Sequence, residues 1–144
     1  MIDRSIRTLI AEKESITCSE TMNVGEAARL MKRHRIGAIM VVEDGKLIGI
    51  FTERDALFRV LAEDRDVQAT KVCDVMTRNP LSIHPDKPYA DALQIMHRGR
   101  FRHVPVVENG RAVGMVSASD AMGPELEAFV WEILRQEQMN DAHA

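Results

Sequence analysis

The chain has 144 residues, 45% of them apolar and 28% charged, with a formal charge of −3, the profile of a soluble globular domain. A mildly acidic balance excludes a general nucleic-acid binder, which carries a basic face, so an anionic ligand would have to meet local cations. No run approaches the roughly 18–20 apolar residues of a membrane span, and the opening Met1-Ile2-Asp3-Arg4-Ser5-Ile6-Arg7 lacks the apolar stretch of a signal peptide. Cys18 and Cys73 fit no metal or redox spacing, which predicts reduced thiols in a cytoplasmic protein.

In chain order, residues 1–14 read as an N-terminal helical segment and 15–19 as a short extended one. Val24, Ala27, Ala28 and Met31 fall at i, i+3, i+4 and i+7, the apolar stripe of a helix, with Asn23 and Glu26 placed for a capping box. A β-branched run from Ala38 to Val42 meets Asp44-Gly45, whose residues supply the positive φ of a hairpin turn. The returning strand runs through Gly49 into Thr52-x-x-Asp55, which reads as the start of another helix. Arg65 to Lys71 is a polar connector, and Val72 to Thr77 leads onward. The pattern then returns: an extended Leu81 to His84, Pro88 in a first turn, the stripe Tyr89, Ala92, Leu93 and Met96, the run His103 to Val107, the turn Asn109-Gly110, and Gly114 leading to Ser117-x-x-Asp120. Beyond Pro124, Leu126, Val130, Ile133 and Leu134 share a helical face with Phe129 beside it. This predicts a helix packed on the body or on a partner subunit, its pattern fading from Gln136 to Ala144.

The register of the repeat is a constant 65 residues from Ser15/Pro80 to Leu57/Met122, and eleven of the 43 aligned pairs are identical, among them Ala27/Ala92, Gly49/Gly114 and Asp55/Asp120. A unit of about 60 residues is marginal alone, so the two copies are expected to share a core and pack with pseudo-twofold symmetry around a cleft. The predicted fold is α/β: tandem β-α-β-β-α repeats over residues 15–64 and 80–123, a linker over 65–79, and a C-terminal helix and tail over 124–144.

Asp74-Val75-Met76-Thr77 before a repeat, Arg102-His103-Val104-Pro105-Val106-Val107 on a middle strand, and Gly-x-x-[Ser/Thr]-x-x-Asp in both copies resemble a pair of cystathionine-β-synthase (CBS) domains, a Bateman module, over about residues 6–123. Arg35-Ile36-Gly37-Ala38, Thr52-Glu53-Arg54-Asp55 and Gly99-Arg100-Phe101-Arg102-His103 are similar to stand-alone bacterial CBS-pair proteins. The resemblance implies a regulatory module that holds AMP, ADP, ATP, NAD or NADH, less readily S-adenosylmethionine, between its repeats. It also implies a homodimer acting on an unknown protein effector, without nucleic acid or membrane.

Thr52-x-x-Asp55 and Ser117-x-x-Asp120 admit two roles. A hydroxyl and a helix N-terminus can bind phosphate while the carboxylate accepts from a ribose diol, or the pair can simply cap a helix. Lys32, Arg33, His97 and Arg98 suit solvated helix ends. Arg100 stands with these cations at the end of a helix, whereas Arg102 and His103 sit where the chain enters a strand opposite Gly37 and Ala38 of the other copy, which predicts phosphate contact on one side and unequal sites. By resemblance, backbone at Thr17, Cys18, Ser82 and Ile83 would face the adenine, near Ile36, Val104, Pro105 and Met115, with Arg54 and Ser119 beside the aspartates. Plain core packing competes for the apolar members. The histidines form no ligand pair and no nucleophile elbow, Rossmann or P-loop motif is present, so neither an enzyme nor a metal site is expected. A ligand-free interaction module working through dimerisation and the C-terminal helix is the competing reading.

Overall fold

The structure, a computed structural model, describes residues 4–142; the side chains of 123–126 and 140–142 are outside that description, and with them the expectation for Leu126. Elements in chain order are α1 (Ile6–Ala11), β1 (Thr17–Ser19), α2 (Val24–His34), β2 (Ala38–Glu43), β3 (Lys46–Thr52), α3 (Glu53–Asp55) continuing as a π-helical turn (Ala56–Leu61), α4 (Val72–Val75), β4 (Thr77–Arg78), α5 (Tyr89–Gly99), β5 (His103–Glu108), β6 (Arg111–Ser117), a 3₁₀ turn (Ala118–Asp120) and α6 (Gly123–Ala142).

Each repeat is built on a hairpin closed by a two-residue turn. Asp44 and Gly45 have φ of 52° and 79°, Asn109 and Gly110 of 55° and 78°, both central residues left-handed as a type I′ turn requires. Both hairpins carry a bulge at the same place, Val41/Val42 and Val106/Val107. The strands join in the order β1-β2-β3-β6-β5, with β4 added against β3. The halves meet along β3 and β6 only at Lys46 and Arg111, so most cohesion between them comes from elsewhere.

That cohesion is a reciprocal exchange. Helix α1 precedes the first repeat, yet Ile6 and Leu9 are buried in the core of the second, with Ile83, Tyr89, Leu93, Val104 and Val116. Helix α4 precedes the second repeat, yet Val72, Val75 and Met76 are buried in the core of the first, with Val24, Ala27, Met31, Ile39 and Phe51. Backbone bonds repeat the exchange: Ile6 N–H donates to Lys87 O (3.1 Å) and Arg7 N–H to Pro85 O (2.8 Å), as Val72 N–H donates to Met22 O (2.8 Å) and Cys73 N–H to Glu20 O (3.1 Å). The paired glycines of the repeat belong to this arrangement. A Cβ at Gly114 would lie 2.8 Å from Ile10 Cβ, and one at Gly49 would lie 2.5 Å from Met76 Sδ and 3.0 Å from Thr77 O, so the crossing segments lie directly on backbone.

Three details differ from the expectation. The segment Leu81 to His84 contributes a single bridge, Ile83 to Val106, in place of a strand; Pro85 removes the N–H two residues on from Ile83 that the next rung of the ladder would need. Ser117-x-x-Asp120 opens only a 3₁₀ turn, because Ala121 turns extended at ψ 131° before the chain restarts as α6. Helix α6 continues to Ala142 through the region where the apolar pattern fades. Phe129 packs on the second core and meets His97 edge-on with ring centroids 5.9 Å apart, whereas Val130, Trp131, Leu134 and Met139 are exposed.

Candidate functional site

Both Ser/Thr-x-x-Asp turns form caps, and the two differ. In the first, Asp55 N–H donates to Thr52 Oγ1 (3.1 Å) and Thr52 N–H to Asp55 Oδ2 (3.0 Å), a reciprocal capping box. The other carboxylate oxygen, Oδ1, lies 3.5 Å from Arg59 Nε. In the second, Ser117 N–H donates to Asp120 Oδ2 (2.8 Å), while the Ser117 hydroxyl is shared with Ser119 Oγ (2.7 Å) and Asp120 Oδ2 (3.4 Å). Lys13 Nζ also bonds Asp120 Oδ2. All of these donors use one oxygen, so Oδ1 of Asp120 accepts no hydrogen bond among the described residues.

A cavity of about 140 Å³ opens beside this second turn, lined by Lys13, Glu14, Ser15, Ile16, Arg35, Ile36, Gly37, Met40, His103, Met115, Ser117 and Ser119. Its walls come from both repeats and from the segment after α1. Arg35, at the end of α2, holds a left-handed conformation (φ 53°) that turns the chain sharply into Ile36 and Gly37. Gly37 lies close to the Glu53 carboxylate and the His103 ring, since a Cβ there would be 3.0 Å from Glu53 Oε1 and 3.2 Å from His103 Cε1. Burial holds the His103 imidazole below its ordinary pKa, with Arg102 and Lys13 acting the same way and Glu53 and Asp120 opposing. A neutral imidazole can both donate and accept. A larger groove of about 590 Å³ lies on the outer face of the first repeat, lined mainly by apolar residues such as Val24, Phe51 and Val60.

Of the residues singled out from the sequence, Ile36, Gly37, His103, Met115, Ser117 and Ser119 come together around the cavity, with Asp120 bonded to two of its lining residues. Thr52 and Asp55 form the cap of α3 and are not among its lining residues, and Arg54 is exposed. Ala38, Val104 and Pro105 are fully buried, so their side chains act as core. Thr17 pairs with Met40 in the sheet. Cys18 is buried and its thiol is pushed up to about 11 by that burial, which keeps it protonated; both cysteines are free thiols. Ser82 is exposed. The backbone of Ile83 is engaged by β5, its N–H donating to Pro105 O (3.0 Å) and its C=O accepting from Val107 N–H (3.0 Å), so its N–H is not available to a base. Arg100 and Arg102 line a separate groove of about 360 Å³ with Phe101, Leu93 and Phe129.

Sequence reasoning missed Lys13 and Glu14, which lie before the register of the repeat, and Ser15 and Ile16, which open it. The signal that could have found them is the correspondence of Ile6, Leu9 and Ile10 with Val72, Val75 and Met76, displaced by one residue from the rest. One exposed cluster offers metal-ligand atoms, His84, Asp86 and Glu108. There Arg7 already donates to Asp86 (2.9 Å) and Glu108 (2.6 Å), holding both carboxyls below their usual range.

The CBS domain family matches the chain twice, at residues 6–62 and 72–123, and the chain belongs to that family. The CBS domain-containing protein YhcV of Bacillus subtilis is 41% identical over 104 residues, covering 72% of this chain and 74% of that protein. The protein CBSCBSPB2 of Arabidopsis thaliana is 36% identical over 121 residues, 83% of this chain, but the chain spans only 22% of its length. Among solved structures, the CBS domain pair of MJ0100, in complex with 5′-methylthioadenosine and S-adenosyl-L-methionine, shares 29% identity at a TM-score of 0.74, covering 83% and 93% of the two chains. The AMP complex of PAE2072 from Pyrobaculum aerophilum superposes at 0.79 over 88% and 98%; at 22% identity the likeness is one of fold. The matching family model is that of the CBS domain, and no catalytic family is indicated. No helix among the described residues is long and apolar enough to cross a membrane.

Proposed function

We propose that this CBS pair is a regulatory module that binds an adenine nucleotide, AMP, ADP, ATP or NAD(H), in the cleft beside Asp120, and works as a cytoplasmic energy or redox sensor. The observation that carries the reading is the state of the second aspartate. Its Oδ2 is held by Ser117 and Lys13 and its Oδ1 accepts no hydrogen bond among the described residues, next to a cavity that both repeats build. A carboxylate oxygen with open lone pairs suits a ribose diol, and the adenosine compounds bound by the two structural neighbours make such a ligand the natural one to test. The first repeat offers no equivalent, because Arg59 stands beside the second oxygen of Asp55, which favours unequal sites. Regulation requires that the ligand prefer one arrangement of repeats or subunits.

A thermal-shift panel of AMP, ADP, ATP, NAD, NADH and S-adenosylmethionine tests this. A ligand at 100 times its Kd adds about 2.7 kcal/mol, an upward shift of roughly 5–11 °C at this chain length. Asp120→Ala should abolish the shift and Asp55→Ala should keep it, although each loses a cap and about 1 kcal/mol of apo stability. No shift with any nucleotide at millimolar concentration overturns the sensor reading. The exposed Val130, Trp131, Leu134 and Met139 on α6 favour a second reading, a homodimeric interaction module acting through that helix, which the same negative panel would promote.

A further inference from the structure

We infer that Lys13 is the residue that makes this cleft select a phosphorylated ribonucleotide over the bare nucleoside, by exchanging Asp120 for the ligand's phosphate. The inference rests on the nucleotide reading above and adds a discriminating residue to it.

The position of Lys13 is fixed from far away in the chain. Helix α1 is anchored in the second core by Ile6 and Leu9, Ile10 lies against Gly114, and Lys13 N–H donates to Ile10 O at 3.2 Å. Its ammonium reaches the far repeat, bonding Asp120 Oδ2 and Met115 O (3.3 Å) beside Ser117 and Ser119. The lysine therefore sits across the carboxylate that a ribose would use, in a cavity of about 140 Å³, below the roughly 300 Å³ of ordinary ligand pockets.

The other half of the molecule has no such device. The correspondence of Ile6 with Val72 and Ile10 with Met76 places Asn79, not a cation, where Lys13 stands. There the partner of Asp55 is Arg59, from the same helical turn and also tied to Val75 O (3.2 Å) and Met76 O (3.1 Å).

Charge balance then decides what the cleft accepts. A neutral nucleoside that takes Asp120 for its hydroxyls leaves the Lys13 ammonium sharing or losing its counter-charge, and an unpaired ammonium in a partly enclosed site is costly. A phosphate supplies the replacement charge. Lysine is suited to the exchange, being a compact charge with three donors on a flexible four-carbon stem. When Nζ turns to the phosphate, Oδ2 becomes open to a second ribose hydroxyl beside the already open Oδ1, and the cavity loses the obstruction. No bond is made or broken, and Lys13 is a specificity-determining residue.

Isothermal titration of the full chain with AMP and with adenosine, at fixed ionic strength, tests the exchange. Wild type should prefer AMP. Lys13→Gln should cut the AMP-to-adenosine affinity ratio at least tenfold, with adenosine binding as well or better, while Lys13→Arg retains the preference. Arg98→Gln, an exposed cation in the last turn of α5 and outside the cleft, should leave the ratio above half its wild-type value. A Lys13→Gln ratio within twofold of wild type overturns the inference and leaves the nucleotide reading standing, as does a wild-type chain that binds both equally. A wild-type chain that binds neither overturns both. Should Lys13→Gln fail to fold, wild type alone decides: AMP affinity must weaken with added salt more steeply than adenosine affinity, and equal slopes overturn the exchange.

Discussion

Replacing Ile6 by alanine should destabilise the second repeat, although Ile6 precedes the first. Ile6 is fully buried against Ile83, Tyr89 and Val104. The substitution removes three carbons, a transfer loss of about 2.4 kcal/mol at roughly 0.8 kcal/mol per carbon. The residual cavity raises this to about 3–4 kcal/mol, within the range for large-to-small core changes. At this chain length each kcal/mol moves the melting temperature by about 2–4 °C, so thermal unfolding followed by circular dichroism should show a fall of roughly 6–16 °C. Native-state hydrogen exchange should place the lost protection in α5, β5 and β6. A fall below about 2 °C would refute the reasoning, because it would mean that α1 rests on the surface and closes nothing.

Two other outcomes follow from particular side chains. His103 is held below its ordinary pKa of about 6.5 by burial, with Arg102 and Lys13 reinforcing and Glu53 and Asp120 opposing. Between the lowered native value and 6.5 the unfolded chain binds the proton first, so stability rises with pH through that window and is lost as pH falls from 6.5. His103→Gln should flatten the melting-temperature profile between pH 5 and 7, and an unchanged slope would assign the dependence to other groups. The exposed Val130, Trp131 and Leu134 of α6, and Leu57, Phe58 and Leu61 of the π-helical turn, predict that light scattering gives twice the 16.2 kDa chain mass; a monomer at micromolar concentration would count against the homodimer.

The repeat, its helices and its hairpins were legible because each rests on local chemistry: the stripe of Val24, Ala27 and Met31, and the Asx-Gly turns. The register also carried Asp55 and Asp120 to equivalent places. It could not show their inequality, which depends on Arg59 reaching one and Lys13 the other, the second across 107 residues of sequence. Nor could it show that Ile83 spends its backbone on β5, a tertiary choice made by the path of the chain between two prolines. In the second repeat the cap uses only Oδ2 of Asp120, which leaves Oδ1 for the proposed ligand.

The mutual insertion of α1 and α4 has a consequence for how such a chain could arise and how it could be cut. Neither half can satisfy its own interior, so a chain of one repeat with its leading segment would be closed only by a second copy, each lending its helix to the other in an isologous handshake. Covalent fusion then adds no new contact; it raises the effective concentration of one half for the other. Two separately produced halves, divided between residues 65 and 70, should therefore find each other in solution as complementary fragments.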